Sequence, residues 1–197
     1  MKTEEAYEEE RNSGKTENRA ATLDDMKSVV RLLNEHNVPY LLIGGYAVLL
    51  KGNQRVTKDV DILLPIGIEV GKKVKEALGN LPEKTVRDVK DEWFLEDETI
   101  RVADEFTVDL LFKCGGGKYN YENLLQHAEE KEFEGLKIKT INADGLWKTK
   151  QTGRPKDIND LLFLQTLMKS NVKVDEMLLN KEFSIKAFAN KIRKRLF

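Results

Sequence analysis

Apolar residues recur along the chain with two periods, and the changes from one period to the other mark the elements. Leu23, Met26, Val29, Val30, Leu32 and Leu33 share one face of a helix that runs to about Glu35. Thr22 is its N-cap, and Asp24 and Asp25 stand in its first turn, where negative charge suits the helix dipole. Asn37-Val38-Pro39 stops it, and Tyr40 to Ile43 is a short strand. Gly44-Gly45 follows, then a short helix from about Tyr46 to Lys51, a polar turn to Gln54, and an apolar strand ending at Leu64. Residues 66–79 are a covering helix, while 83–98 are dense in charge, with Trp93-Phe94-Leu95 as a strand-like run at a sheet edge. Thr99–Ala103 and Phe106–Phe112 read as two strands joined by a turn at Asp104-Glu105. Tyr121–Glu130 reads as a helix and Gly135–Ile141 as a half-exposed strand, after which Asn142 caps a helix from Ala143 to about Lys150. Pro155 opens an apolar helix with Leu161, Leu162, Leu164 and Leu167 inward, and Val172–Phe197 holds two more helices.

The chemistry gathers on two of these strands. Side chains alternate along a strand, so Asp59 and Asp61 point one way and Val60 and Ile62 the other. Two like charges side by side repel and are costly to desolvate, a cost that a divalent cation between them removes. Asp109 stands in the middle of the apolar run Phe106–Phe112, where a lone carboxylate needs a partner. A hard cation such as Mg2+, which favours carboxylate and phosphate oxygens, would serve all three. Asp104 is the rival for the third position, but Asp109 has the apolar flanks. Gly44 and Gly45 let a ligand approach the backbone closely, and the helix behind them aims its first N–H groups at the turn, as phosphate sites do. Taken singly, an Asp-x-Asp is also a solvated strand end and a Gly-Gly a plain turn. Arg55 and Lys58 flank the acidic strand, where each is either a phosphate contact or solvated surface.

Gly44, Gly45, Asp59, Asp61 and Asp109, in that order and each in apolar context, resemble the signature of the nucleotidyltransferase superfamily, the polymerase-beta-like fold. The resemblance spans roughly residues 22–165. Gly-Gly-Tyr-Ala-Val with Arg-x-Thr-x-Asp-x-Asp, from Arg55 through Thr57 and Asp59 to Asp61, is most similar to the small prokaryotic members, the abortive-infection toxin type and the lincosamide type. It implies an α+β fold: a mixed β-sheet flanked by helices, with a polar tail over 1–20, a core over 21–150 and a helical C-terminal part over 151–197 packed on it. It implies transfer of a nucleotide from an NTP to a hydroxyl acceptor, with two Mg2+ ions held by Asp59, Asp61 and Asp109. The run from Lys148 through Arg154-Pro155-Lys156-Asp157 to Asp160 resembles a second motif of the toxin type. There the lysine is a nucleotide contact and the aspartate organises the site edge. That carries over onto Lys148 and Asp157, with Lys150 and Asp160 as rivals in register, and plain helix design explains the same residues equally well.

Composition narrows the rest. The net charge is −1, which supplies no global attraction to nucleic acid or to a membrane surface. The single cysteine, Cys114, cannot form an internal disulfide, which fits a reducing cytoplasm, and no apolar run reaches membrane-span length. Cys114-Gly115-Gly116-Gly117-Lys118 lacks the helix-opening Gly-Lys-Ser/Thr of a phosphate loop and reads as a flexible loop near the site. His36 and His127 offer little histidine chemistry. Lys186, Lys191, Arg193, Lys194 and Arg195 are either an RNA contact or a solvated helix face. The acceptor therefore stays open between RNA, such as a tRNA end, and a small molecule or protein side chain. The alternative in another class is a catalytically weak nucleotide-binding or antitoxin-like module, and a toxin-type enzyme would imply a cognate antitoxin-like protein.

Overall fold

Thr22 caps the first helix as the pattern requires: its hydroxyl accepts from the Asp25 N–H at 3.2 Å, and the Asp25 carboxylate accepts from the Thr22 N–H at 2.7 Å. The structure is a computed structural model that describes residues 19–54 and 57–170. Helix α1 is Leu23–Glu35, burying Met26, Val29, Val30 and Leu33. Strand β1, Leu41–Leu42, leads into helix α2, Gly44–Leu49, and strand β2 is Asp59–Leu63. Helix α3, Ile68–Leu78, packs against α1. Strands β3, Ile100–Ala103, and β4, Thr107–Leu111, form the expected hairpin. Strands β5, Lys113–Cys114, and β6, Tyr119–Asn120, make a separate small ribbon. Helix α4, Tyr121–Leu124, strand β7, Ala128–Phe133, strand β8, Leu136–Ile141, and helix α5, Ala143–Thr149, follow. Residues 155–170 form helix α6.

The fold is α+β. Six strands form one mixed sheet in the order β3-β4-β2-β1-β8-β7, flanked by helices. Strand β2 is central, parallel to β4 and antiparallel to β1. Its inward residues Val60 and Ile62 are fully buried, which leaves Asp59 and Asp61 on the other face. Asn142 caps α5 by accepting from the Gly145 N–H at 2.9 Å, and α5 packs against α2.

Four expectations change. The helix expected over Tyr121–Glu130 is one α turn and a short 3-10 turn, Leu125–His127, and the rest is strand β7. A two-residue turn explains this: Glu134 and Gly135 both have positive φ, 49° and 76°, and Phe133 pairs with Leu136, the geometry of a tight hairpin. Trp93-Phe94-Leu95 is not a strand but part of a 3-10 turn, Asp91–Leu95. Phe94 is its one inward residue, lying on Gly71 of α3 and meeting Phe112 edge-on at 6.1 Å between ring centroids. Helix α2 begins at Gly44 rather than Tyr46. On α6, Leu164 is buried but Leu162 is 59% exposed, because Asp157 and Asp160 take the inward positions beside Leu164. The expected helices within Val172–Phe197, the basic cluster there and the tail over 1–18 lie outside the described residues. Among the described residues no helix is long and apolar enough to cross a membrane.

Candidate active site

The parallel register of β2 and β4 sets Asp61 directly beside Asp109, and Asp59 beside Thr107. Paired residues of neighbouring strands project to the same face. Asp59, Asp61 and Asp109 therefore converge, each offering a carboxylate oxygen within 4.8 Å of the others. They form part of the wall of a cleft of about 640 Å³.

Gly44 and Gly45 line the same cleft. Gly44 has φ +68°, and a Cβ there would lie 1.8 Å from Asp61 Oδ2, so a side chain is excluded by both backbone and space. A Cβ on Gly45 would meet Thr57 Oγ1 at 2.4 Å. The Ile43 N–H donates to the Asp61 carbonyl at 3.0 Å, and the Gly45 N–H donates to the Asp61 carboxylate. The glycine turn and the acidic strand are thus locked together, with Asp61 as the joint. Burial, then the neighbouring charges of Asp59 and Asp109, push Asp61 up to about 6, while Lys150 and the Gly45 N–H pull the other way.

The opposite wall comes from the end of α5 and the loop after it. Lys150 lines the cleft and is buried, held by Asp160 Oδ2 at 3.0 Å and Asp157 Oδ1 at 3.3 Å. Asp157 also accepts from the Thr152 hydroxyl at 2.5 Å and from Arg154 Nε at 2.8 Å. Burial works against ionisation of Asp157, but these donors together with Lys150 outweigh it and hold its carboxyl below the usual range. Lys148 points elsewhere, to Asp144 Oδ2 at 2.9 Å and His127 Nε2 at 3.1 Å, and is not among the residues of the cleft wall. Of the two lysines left in register, Lys150 is the one at the cleft. Asp157 and Asp160 both face it from α6. Arg55 lies outside the described residues.

Cys114 to Gly117 edge the cleft, as expected of a loop near the site. Burial and the Asp61 charge push the Cys114 thiol up to about 12, so it is no nucleophile at neutral pH. Asp104, the rival third carboxylate, is buried away from the cleft, accepting from the Glu83 and Glu105 N–H groups at 3.0 Å each. Sequence reasoning missed Arg101. It stands across from Asp109 on β3 and grips it with both ends of the guanidinium, Nε to Oδ1 and a terminal nitrogen to Oδ2, each 2.8 Å. The hairpin register would have revealed it, since pairing about the Asp104 turn puts Arg101 and Asp109 on one face.

The donor set fits a hard divalent cation: three carboxylates on neighbouring strands of one sheet, one of them packed directly against the side-chain-free Gly44-Gly45 turn. No protein-family model matches the chain, and no curated protein matches it. The solved structures similar to it include the following two. One, from Thermotoga maritima, carries the provisional name nucleotidyltransferase; it is 14% identical, with a TM-score of 0.46 over 81% of this chain and 92% of that one. The other, an antigenic nucleotidyltransferase-like protein from Paracoccidioides brasiliensis, is 18% identical, with a TM-score of 0.44 over 82% of this chain and 93% of that one.

Proposed function

We propose that the protein is a Mg2+-dependent nucleotidyltransferase that moves a nucleoside monophosphate from an NTP to a hydroxyl acceptor. The observation that carries this reading is the convergence of Asp59, Asp61 and Asp109 beside the Gly44-Gly45 turn in one cleft. The acceptor oxygen attacks the α-phosphorus, the bond from that phosphorus to the bridging oxygen breaks, and pyrophosphate leaves. A divalent cation bound by the three carboxylates supplies charge neutralisation of the phosphates and acidifies the attacking hydroxyl.

The chain's own groups have separable tasks. Asp59 and Asp61 hold the cation, and Asp109 shares it and accepts the proton lost by the hydroxyl. Gly44 and Gly45 let Asp61 and Thr57 pack against the turn, which sets the Asp61 carboxylate at the cleft that receives the triphosphate. Lys150, fixed by Asp157 and Asp160, is a cationic group on the cleft wall opposite the carboxylates, placed to face the phosphates. Arg154 and Lys156 continue the same wall, which favours an RNA acceptor, as in the toxin type, over a small neutral one.

Incubation of the protein with Mg2+ and each labelled NTP, with and without total tRNA, tests the reading. Label in tRNA supports transfer to RNA. Label in the protein itself supports transfer but moves the acceptor to a side chain. An absence of both NTP binding and transfer overturns the reading.

A further inference from the structure

The Arg101 guanidinium covers both oxygens of Asp109, the third carboxylate of the candidate site. The guanidinium takes up one lone pair on each oxygen and sets a positive charge against the carboxylate, so Arg101 and a cation compete for Asp109. Among the described residues neither carboxylate of β2, Asp59 or Asp61, carries such a clamp. We infer that Arg101 competes with a cation for Asp109 in the resting protein, so that the cation is held chiefly by the two carboxylates of β2 until an anionic group draws the guanidinium away. The inference rests on the proposed function for its metal, but it concerns Arg101 and its effect on Asp109.

Three features support an exchangeable clamp rather than a fixed structural pair. The first is exposure. The Arg101 side chain is 65% exposed while that of Asp109 is 8% exposed, so the cation of the pair is free to leave and the anion is not. The second is position. Strand β3 is the edge of the sheet, and Arg101 reaches Asp109 across one strand spacing without being packed over. The third is space. Arg101 and Asp59 also border a second hollow of about 350 Å³ with Arg19 and Lys58, so a displaced guanidinium has room within reach of the triad. A guanidinium released beside a phosphate exchanges one bidentate anion for another, since its fork fits both. The phosphates of a bound substrate are such an anion. Arg101 would thus couple arrival of an anionic substrate to completion of the metal site, and in the resting protein it lowers cation affinity by the fraction of time it is clamped.

The test is Mn2+ binding, read from the free-ion signal in electron paramagnetic resonance, with no nucleotide present. Arg101→Gln is expected to bind Mn2+ about three- to tenfold more tightly than the unaltered protein. Adding Asp109→Asn to that variant is expected to abolish the gain, because the gain belongs to the uncovered carboxylate. Lys58→Gln removes a neighbouring positive charge without touching Asp109 and is expected to show less than half of the gain. The inference is overturned if Arg101→Gln binds Mn2+ no better than the parent, if its gain survives Asp109→Asn, or if Lys58→Gln matches it. Unaltered protein that binds no Mn2+, together with an Arg101→Gln variant that binds none, overturns the metal reading itself. Circular dichroism of each variant confirms that the sheet is intact.

Discussion

Gly44 and Asp61 touch so closely that no methyl group fits between them: a Cβ on Gly44 would lie 1.8 Å from Asp61 Oδ2. Gly44 also has φ +68°, a backbone region that L side chains rarely adopt. Gly44→Ala is therefore expected to destabilise the fold by about 1–3 kcal/mol and to weaken Mn2+ binding by displacing the Asp61 carboxylate. Urea denaturation and Mn2+ titration measure the two effects. A variant as stable as the parent, with unchanged Mn2+ affinity, would show that the contact is not needed.

Asp61 makes the metal-free protein sensitive to pH. Its pKa in the fold is pushed up to about 6, against about 3.9 for an unfolded aspartate. A raised folded pKa means that the group's contribution to stability is whole below about pH 4 and is lost as pH rises to about 6. In chelator at pH 7.5, Asp61→Asn is expected to be more stable than the parent by about 1–3 kcal/mol, the difference shrinking toward zero at pH 4. Urea melts across that range measure it. A variant that is less stable than the parent at pH 7.5 contradicts the assignment.

Removing the two carboxylates of β2 together should separate chemistry from folding. The Asp59→Ala, Asp61→Ala double variant is expected to lose Mg2+-dependent transfer while keeping its circular dichroism, because Val60 and Ile62, not the acids, fill the core beneath β2. Full transfer activity in that variant would remove the triad from the mechanism.

Lys150 and Lys148 sit two residues apart and should behave differently. Lys150 is buried between Asp157 and Asp160, so Lys150→Met leaves both acids without it and should cost about 2–4 kcal/mol. Lys148 is partly exposed and pairs with an exposed Asp144, so Lys148→Met should cost less than about 1 kcal/mol. Denaturant midpoints of the two variants give the comparison. Equal losses would mean that burial does not distinguish them.

How much of this was legible in the sequence depends on the range of the interaction that decides each point. Asp59, Asp61 and Gly44 are separated by few residues, and strand alternation with a glycine turn was enough to group them. Asp109 was found from its apolar flanks, and the cap at Thr22 from local chemistry. Strand β7 was misread because Glu129, Glu130, Lys131 and Glu132 carry no apolar alternation; the strand is defined by its partner β8 and by the Glu134-Gly135 turn. Arg101 was missed because its role is set across strands by register, not along the chain. Lys148 and Lys150 could not be told apart because helix periodicity alone does not say which turn of α5 meets α6.

Pairing β2 with β4 closes a long loop that carries α3 and the whole β3 strand. Before that loop closes, the chain holds only the adjacent pair Asp59 and Asp61; the third carboxylate arrives when the sheet does. Once an anionic substrate draws Arg101 off Asp109, a cation held by all three carboxylates is a ligand of the folded chain and not of the unfolded one, and by mass action it would stabilise the fold. Cation and anionic substrate together would then set how firmly the centre of this sheet stays shut.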